Sequence, residues 1–218
     1  LGVDIFFFIS GYLITNIIRN EMEDERFSLL NFYERRAKRI LPALFFVVAC
    51  CFPFAWLFMM PEAMENFGQS VVATTLFSNN ILLYITSGYW DLASEFKPLL
   101  HTWSLAVEEQ FYIIFPLFFI AFYRLVNKYI VWAIILIFIA SLTLSQVGVE
   151  KNPSASFYFL PTRAWELMIG SIAAFYLQKS STPITRSLNG PLSSFGLVAI
   201  ICSVLFFDNA IPFPGIYA

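Results

Sequence analysis

An all-α, polytopic transmembrane bundle is the fold this sequence predicts, on three observations. Of its 218 residues, 59% are hydrophobic and only 13% charged, where a soluble domain has about 45–50% and about 25%. Mean hydropathy is +0.71, which points to lipid as the solvent rather than to an unusually large core. The apolar residues fall in continuous runs, so the alternating pattern of a membrane barrel is excluded and helices must satisfy the backbone.

Each element follows from the need for roughly 20 mostly apolar residues per crossing. Residues 1–18 form the first run; the chain starts inside it, at Leu1, and reads as a piece of a longer membrane protein. Residues 19–39 hold Arg19, Arg26, Arg35, Arg36, Lys38 and Arg39, which assigns that linker to the cytoplasm. Residues 40–60 then run outward, and residues 61–66, without lysine or arginine, lie outside.

Residues 67–86 contain Gln69, Ser70, Thr74, Thr75, Ser78, Asn79 and Asn80. A full crossing there would put Arg124, Lys128, Lys179 and Arg186 outside, against the positive-inside rule. The segment is therefore expected to be re-entrant or interfacial, covered by protein. Spans at 103–123, 129–147, 157–177 and 192–207 bring the expected crossings to about six. Residues 149–156 are expected outside, and the turns at 124–128 and 178–189 inside.

The remaining composition excludes more than it assigns. A net charge of −2 and the lack of a basic tail argue against nucleic acid as a partner. Cys50, Cys51 and Cys202 sit in apolar runs with no metal-ligand spacing, so they read as small apolar filler, and no metal is expected.

Ionisable groups in a bilayer cost roughly 2.5–3.5 kcal/mol each on insertion scales, and so mark protein-lined or watery cavities. Asp4 lies in "LGVDIFFFISGYLIT". The stretch "HTWSLAVEEQFYIIFP" carries His101, Trp103, Ser104, Glu108 and Glu109. His101, Ser104 and Glu108 share one face if the helix runs through His101, and Glu109 is turned about 100° away. One glutamate is therefore expected to face a cavity and the other to bond a neighbouring helix. Arg163 and Glu166, three apart in "LPTRAWELMIG", are helical neighbours. Arg35, Arg36 and Arg39 recur at helical spacing, a set whose guanidinium forks suit phosphate. By this reading phosphate chemistry lies inside, and acid–base chemistry toward the outside.

Four stretches, "LGVDIFFFISGYLIT", "FYERRAKRILPAL", "HTWSLAVEEQFYIIFP" and "FYFLPTRAWELMIG", together resemble the acyltransferase 3 family of integral-membrane O-acyltransferases. They stand in the family's order from Leu1 to about Gly170. The resemblance implies transfer of an acyl group, acetyl above all, from cytoplasmic acyl-CoA as co-substrate, with no bound cofactor. The implied acceptor is a hydroxyl of peptidoglycan, lipopolysaccharide or another exported glycan, at the bacterial inner membrane. The family's paired arginines fall on Arg36 and Arg39, with Arg35 beside them. Its glutamate motif falls on Trp103 through Tyr112.

The resemblance also implies that the chain is a partial family domain over 1–218. The family's catalytic histidine belongs to a helix upstream of "GVDIFF", and some members add a C-terminal hydrolase-like SGNH domain. Glu108, Glu109, His101 and Asp4 are then the candidate catalytic groups, with His101 auxiliary. Ser104, Trp103, Arg163 and Glu166 support them, and the fragment alone is expected to be inactive. The competing reading is a proton-coupled transporter or lipid-linked-sugar flippase using the same buried groups. Transporters show matched, Gly- or Pro-broken halves, and no matched halves are visible here.

Overall fold

The computed structural model describes residues 2–86, 97–126, 129–179 and 183–206, with side chains except at 124–126, 178–179, 183–189, 192 and 204–206. Every regular element among them is a helix: α1 (Gly2–Glu23), α2 (Leu29–Phe58), α3 (Pro61–Thr75), α4 (Asn79–Thr86), α5 (Thr102–Val126), α6 (Ile130–Lys151), α7 (Pro153–Tyr158), α8 (Leu160–Lys179) and α9 (Pro183–Phe206). The basic turns expected at 124–128 and 178–189 lie outside the described side chains.

Among the described residues four helices are long and apolar enough to cross a membrane: α1, α2, α5 (through Tyr123) and α6. In α9 the apolar part is the shorter stretch Ser193–Ser203. Helix α8 has 20 residues but carries Thr162, Arg163 and Glu166. Large apolar side chains such as Phe46, Phe54, Leu57 and Phe58 of α2 are exposed. In water such a surface would aggregate; in lipid it is the solvated one.

The chain divides into two compact units. The first holds Leu1–Arg19, Phe122–Phe157 and Pro161–Ala218; the second holds Asn20–Ala121 and Tyr158–Leu160.

In the first unit α1 meets α8 at close range. A Cβ on Gly11 would overlap the Leu167 carbonyl, and one on Gly170 would overlap the Phe8 carbonyl. Backbones can approach this closely only where a residue lacks a side chain, as small-residue interfaces in membranes do. Thr15 donates to Ser171 at 2.8 Å across the same contact. Ser141 of α6 donates to the Pro161 carbonyl at 2.6 Å and accepts from the Trp165 N–H at 2.9 Å, bridging the first turn of α8. Gly170→Ala is expected to destabilise the protein by about 1–3 kcal/mol, the usual cost of overpacking. Thermal unfolding in detergent checks this, with Gly68→Ala, where a Cβ meets nothing within 4 Å, as the neutral comparison.

In the second unit α2 begins well before the apolar run at residue 40. Ser28 caps it, accepting from the Asn31 N–H, and Phe32 buries its ring on the first turn. The basic stretch is thus helical rather than a linker. At 30 residues, α2 is about 45 Å long, more than the roughly 30 Å hydrocarbon core. Pro42 and Pro53 lie inside it, an arrangement tolerated in membrane helices where neighbours re-satisfy the freed backbone groups.

Residues 67–86 are not one helix. The 15-residue α3 and the 8-residue α4 meet at a turn where Phe77 takes φ 52°, and neither reaches crossing length. Buried amides hold the break. Gln110 of α5 donates to the Phe77 carbonyl and to Asn80 Oδ1, both at 2.9 Å. Asn80 donates to the Tyr158 carbonyl at 3.0 Å, and Asn79 to the Leu99 carbonyl at 3.0 Å and Thr102 at 2.7 Å. Both asparagines are fully buried, so their amides need these partners.

Candidate functional site

Two groups of chemically capable side chains emerge, each inside its own unit. In the second unit, Tyr33, Arg36, Ile40 and Leu41 of α2, Phe77 of the turn, and Glu109 and Tyr112 of α5 line a cavity of about 250 Å³. The amphipathic start of α2 places Phe32, Tyr33 and Arg36 along one side, since positions four apart share a helical face. The Tyr33 hydroxyl donates to the Ile113 carbonyl at 2.9 Å. That carbonyl lies beside the one stripped of its helical donor by Pro116, which has no N–H.

Arg36 is half-buried, its guanidinium 5.1 Å from the Tyr112 ring centre and 5.8 Å from that of Phe32. Such cation–π contacts stabilise by roughly 0.5–2 kcal/mol, more as water is excluded. Tyr112 in turn donates its hydroxyl to Glu108. Glu109, 7% exposed, reaches the cavity with its Oε1 buried and without a hydrogen-bond partner. Arg36 and Glu108 are the charged groups acting on it. The cavity therefore offers a carboxylate with an open lone pair, a cation, and two phenols on an otherwise apolar wall.

In the first unit Arg163 is fully buried. It contacts Asp4 and Glu166 at 2.9 Å each, and its guanidinium lies 5.6 Å from the Phe7 ring centre and 5.7 Å from that of Phe157. Two carboxylates share one cation, and Asp4 and Glu166 also border an apolar cavity of about 460 Å³.

A family model described as an acyltransferase domain matches residues 1–216. The chain belongs to the acyltransferase 3 family. It is 34% identical over 223 residues to an uncharacterized protein of Haemophilus influenzae, covering 98% of this chain and 91% of that one. It is 33% identical over 215 residues to the peptidoglycan O-acetyltransferase OatA of Listeria monocytogenes, covering 94% of this chain and 34% of the relative. With the O-acetyltransferase OatA of Staphylococcus aureus it shares 36% identity over 182 residues, covering 80% of this chain and 30% of the relative. The chain thus spans about a third of the length of these two O-acetyltransferases. No solved structure matches. With its long apolar helices, this acyltransferase-family chain is an integral membrane protein.

Within the family frame, the structure relocates several residues. Arg36 and Glu109, assigned by sequence to opposite sides, line the same cavity, because the face of α2 that carries Phe32 and Tyr33 packs on α5. Of the three arginines, Arg36 lines the cavity. Arg35 bonds both carboxylate oxygens of Glu21, at 2.7 and 2.9 Å, and Arg39 is exposed. The sequence predicts one glutamate bonded to a neighbouring helix; among the described bonds, Glu108 accepts from Tyr112, one turn along its own helix.

His101 lies just before α5, so the shared face with Ser104 and Glu108 does not extend to it. It is exposed and does not line the Glu109 cavity, and Ser104 donates to its carbonyl at 3.2 Å. Trp103 is buried edge-on against Tyr158, with ring centres 5.8 Å apart, which makes it a packing residue. Sequence reasoning did not single out Tyr33, Tyr112 or Gln110. Their signal was position: each falls on the buried face of a helix that carries a charged residue.

Proposed function

We propose that this chain carries the acyl-transfer centre of a membrane O-acetyltransferase of the bacterial inner membrane, with acyl-CoA as donor and a cell-envelope glycan, peptidoglycan first, as acceptor. The observation that carries the reading is the buried, open carboxylate of Glu109 beside Arg36 in a chain of this family. Peptidoglycan is favoured over lipopolysaccharide by the likeness to the peptidoglycan O-acetyltransferase of Listeria monocytogenes.

In the proposed step the acceptor hydroxyl oxygen attacks the thioester carbon, the C–O bond forms and the C–S bond breaks. The hydroxyl proton passes to the Glu109 carboxylate and then to the leaving thiolate, so free CoA and the ester are the products. Arg36 stabilises the oxyanion that develops on the thioester oxygen, the role a fixed cation performs best in a dry site. Arg39, exposed on the same helix, is proposed for the CoA phosphates, with Arg35 beside it. The basic start of α2 then lies on the cytoplasmic side.

Membranes containing the full-length protein, given labelled acetyl-CoA, should yield exported glycan with alkali-labile label; label that stays in the lipid or aqueous donor pool would sink the reading. His101→Gln in the same assay is expected to keep transfer within about threefold of the parent, since the residue is outside the cavity and a true acid–base group contributes 10²–10⁴-fold. Loss on that scale would make His101 the proton carrier.

A further inference from the structure

Along the Glu109 cavity α2 contributes Tyr33, Arg36, Ala37, Ile40 and Leu41 in order on one helical face. At about 1.5 Å of rise per residue, the wall runs about 7.5 Å from Arg36 to Leu41. It turns from polar to aliphatic on the way. The cavity's volume of about 250 Å³ lies below the roughly 300–1,000 Å³ of pockets that enclose a whole drug-sized ligand. It has room for the reacting ends of a thioester and a hydroxyl, and for little more.

Among the described lining residues, Phe77 alone belongs to neither α2 nor α5. It supplies a third wall from the turn between α3 and α4. Its φ of 52° is a left-handed backbone that a bulky residue adopts only under constraint. The constraint is visible on both sides. The Phe77 N–H donates to the Thr74 carbonyl at 3.1 Å, and its own carbonyl accepts from Gln110 at 2.9 Å. Glycine would take this conformation without strain; a phenylalanine accepts the strain and adds a ring to the cavity. Strained residues held by their surroundings cluster at ligand clamps. Gln110, which holds this one, follows Glu109 in the chain, so the ring is fixed relative to the carboxylate.

On the acyl-transfer reading of this cavity, we propose that Phe77 limits the donor to short acyl groups. The thioester carbonyl meets Arg36, and the tail points toward Ile40, Leu41 and the Phe77 ring. An extended octanoyl chain reaches about 9 Å beyond its carbonyl carbon, at C–C bonds of about 1.5 Å. That exceeds the aliphatic wall, so the chain meets the ring before its carbonyl reaches Arg36. An acetyl or propionyl methyl stays within the wall.

The test uses membranes containing the full-length protein, with labelled acetyl-CoA and octanoyl-CoA as competing donors and ester-linked label on glycan as the readout. A hydrophobic pocket discriminates by about 10–200-fold for one methylene too many, so the parent should prefer acetyl by at least about 100-fold. Phe77→Ala should cut that preference by about tenfold or more. Leu76→Ala, at the preceding residue, which is 70% exposed and lines a different groove, should leave it unchanged. Should Phe77→Ala not fold, Phe77→Leu decides by a smaller shift in the same direction. Equal use of the two donors by the parent, an unchanged ratio in the Phe77 variants, or an equal shift in Leu76→Ala overturns the proposal while leaving acyl transfer intact. Absence of transfer from either donor in the parent overturns the acyl-transfer reading and this inference with it.

Discussion

Replacing Glu109 by glutamine is expected to lower acyl transfer by about 10²–10⁴-fold, the contribution of a positioned acid–base group. The substitution keeps volume and shape, and the carboxylate is buried with one oxygen lacking a hydrogen-bond partner. An amide there loses proton exchange without opening a void. The effect should fall on kcat rather than on KM, because the proton moves only as the ester forms. Glu108→Gln is the comparison. That carboxylate accepts from Tyr112, so its loss disturbs the wall of the cavity and should cost less. Labelled-acetyl transfer in membranes, normalised to folded protein, separates the two. Glu109→Gln with transfer within about threefold of the parent would remove Glu109 from the chemistry.

The largest effect on stability is expected at Arg163. Removing one member of a buried ionic group leaves the others uncompensated, at about 3–5 kcal/mol. Arg163 is fully buried, holds Asp4 and Glu166 at 2.9 Å each, and fills the space by the Phe7 and Phe157 rings. Arg163→Met should therefore lower the unfolding midpoint in detergent more than any exposed arginine variant does. Adding Asp4→Asn and Glu166→Gln to it should recover part of the loss, because the stranded carboxylates are then amides. Failure of the triple variant to recover would mean that shape, not charge, dominates the cluster.

The membrane helices were legible because continuous apolar runs carry their own meaning. Helix α2 was legible only from residue 40, since residues 29–39 are polar by composition and helical by face: Phe32 is buried while Glu34 and Lys38 pair in solvent at 2.5 Å. The break in residues 67–86 was signalled by Asn79 and Asn80, whose amides do not suit lipid. The pairing of Arg163 with Glu166 lay in their spacing, whereas the contact of Arg163 with Asp4 joins residues 159 apart, and no local period encodes it. The same holds for Arg36 and Glu109. Charge counting sorts residues by side of the membrane, but packing of α2 on α5 decides which of them meet. His101 attracted notice as the chain's one histidine, yet residue type does not place a side chain, and the helix starts one residue too late to carry it inward.

The amide-bound break between α3 and α4 has a consequence for how the protein is made. Asn80 is tied to Gln110 and to Tyr158, 30 and 78 residues later in the chain. At about 5–20 residues per second, the ribosome supplies the second of these partners roughly 4–16 s after Asn80 itself. Until Gln110 follows, roughly 1.5–6 s after Asn80, the amide has only water, lipid headgroups or the insertion machinery to bond, and its bond to Tyr158 waits longer still. The hairpin therefore waits at the membrane surface and is seated after the helices that follow it, an order of assembly opposite to the order of synthesis.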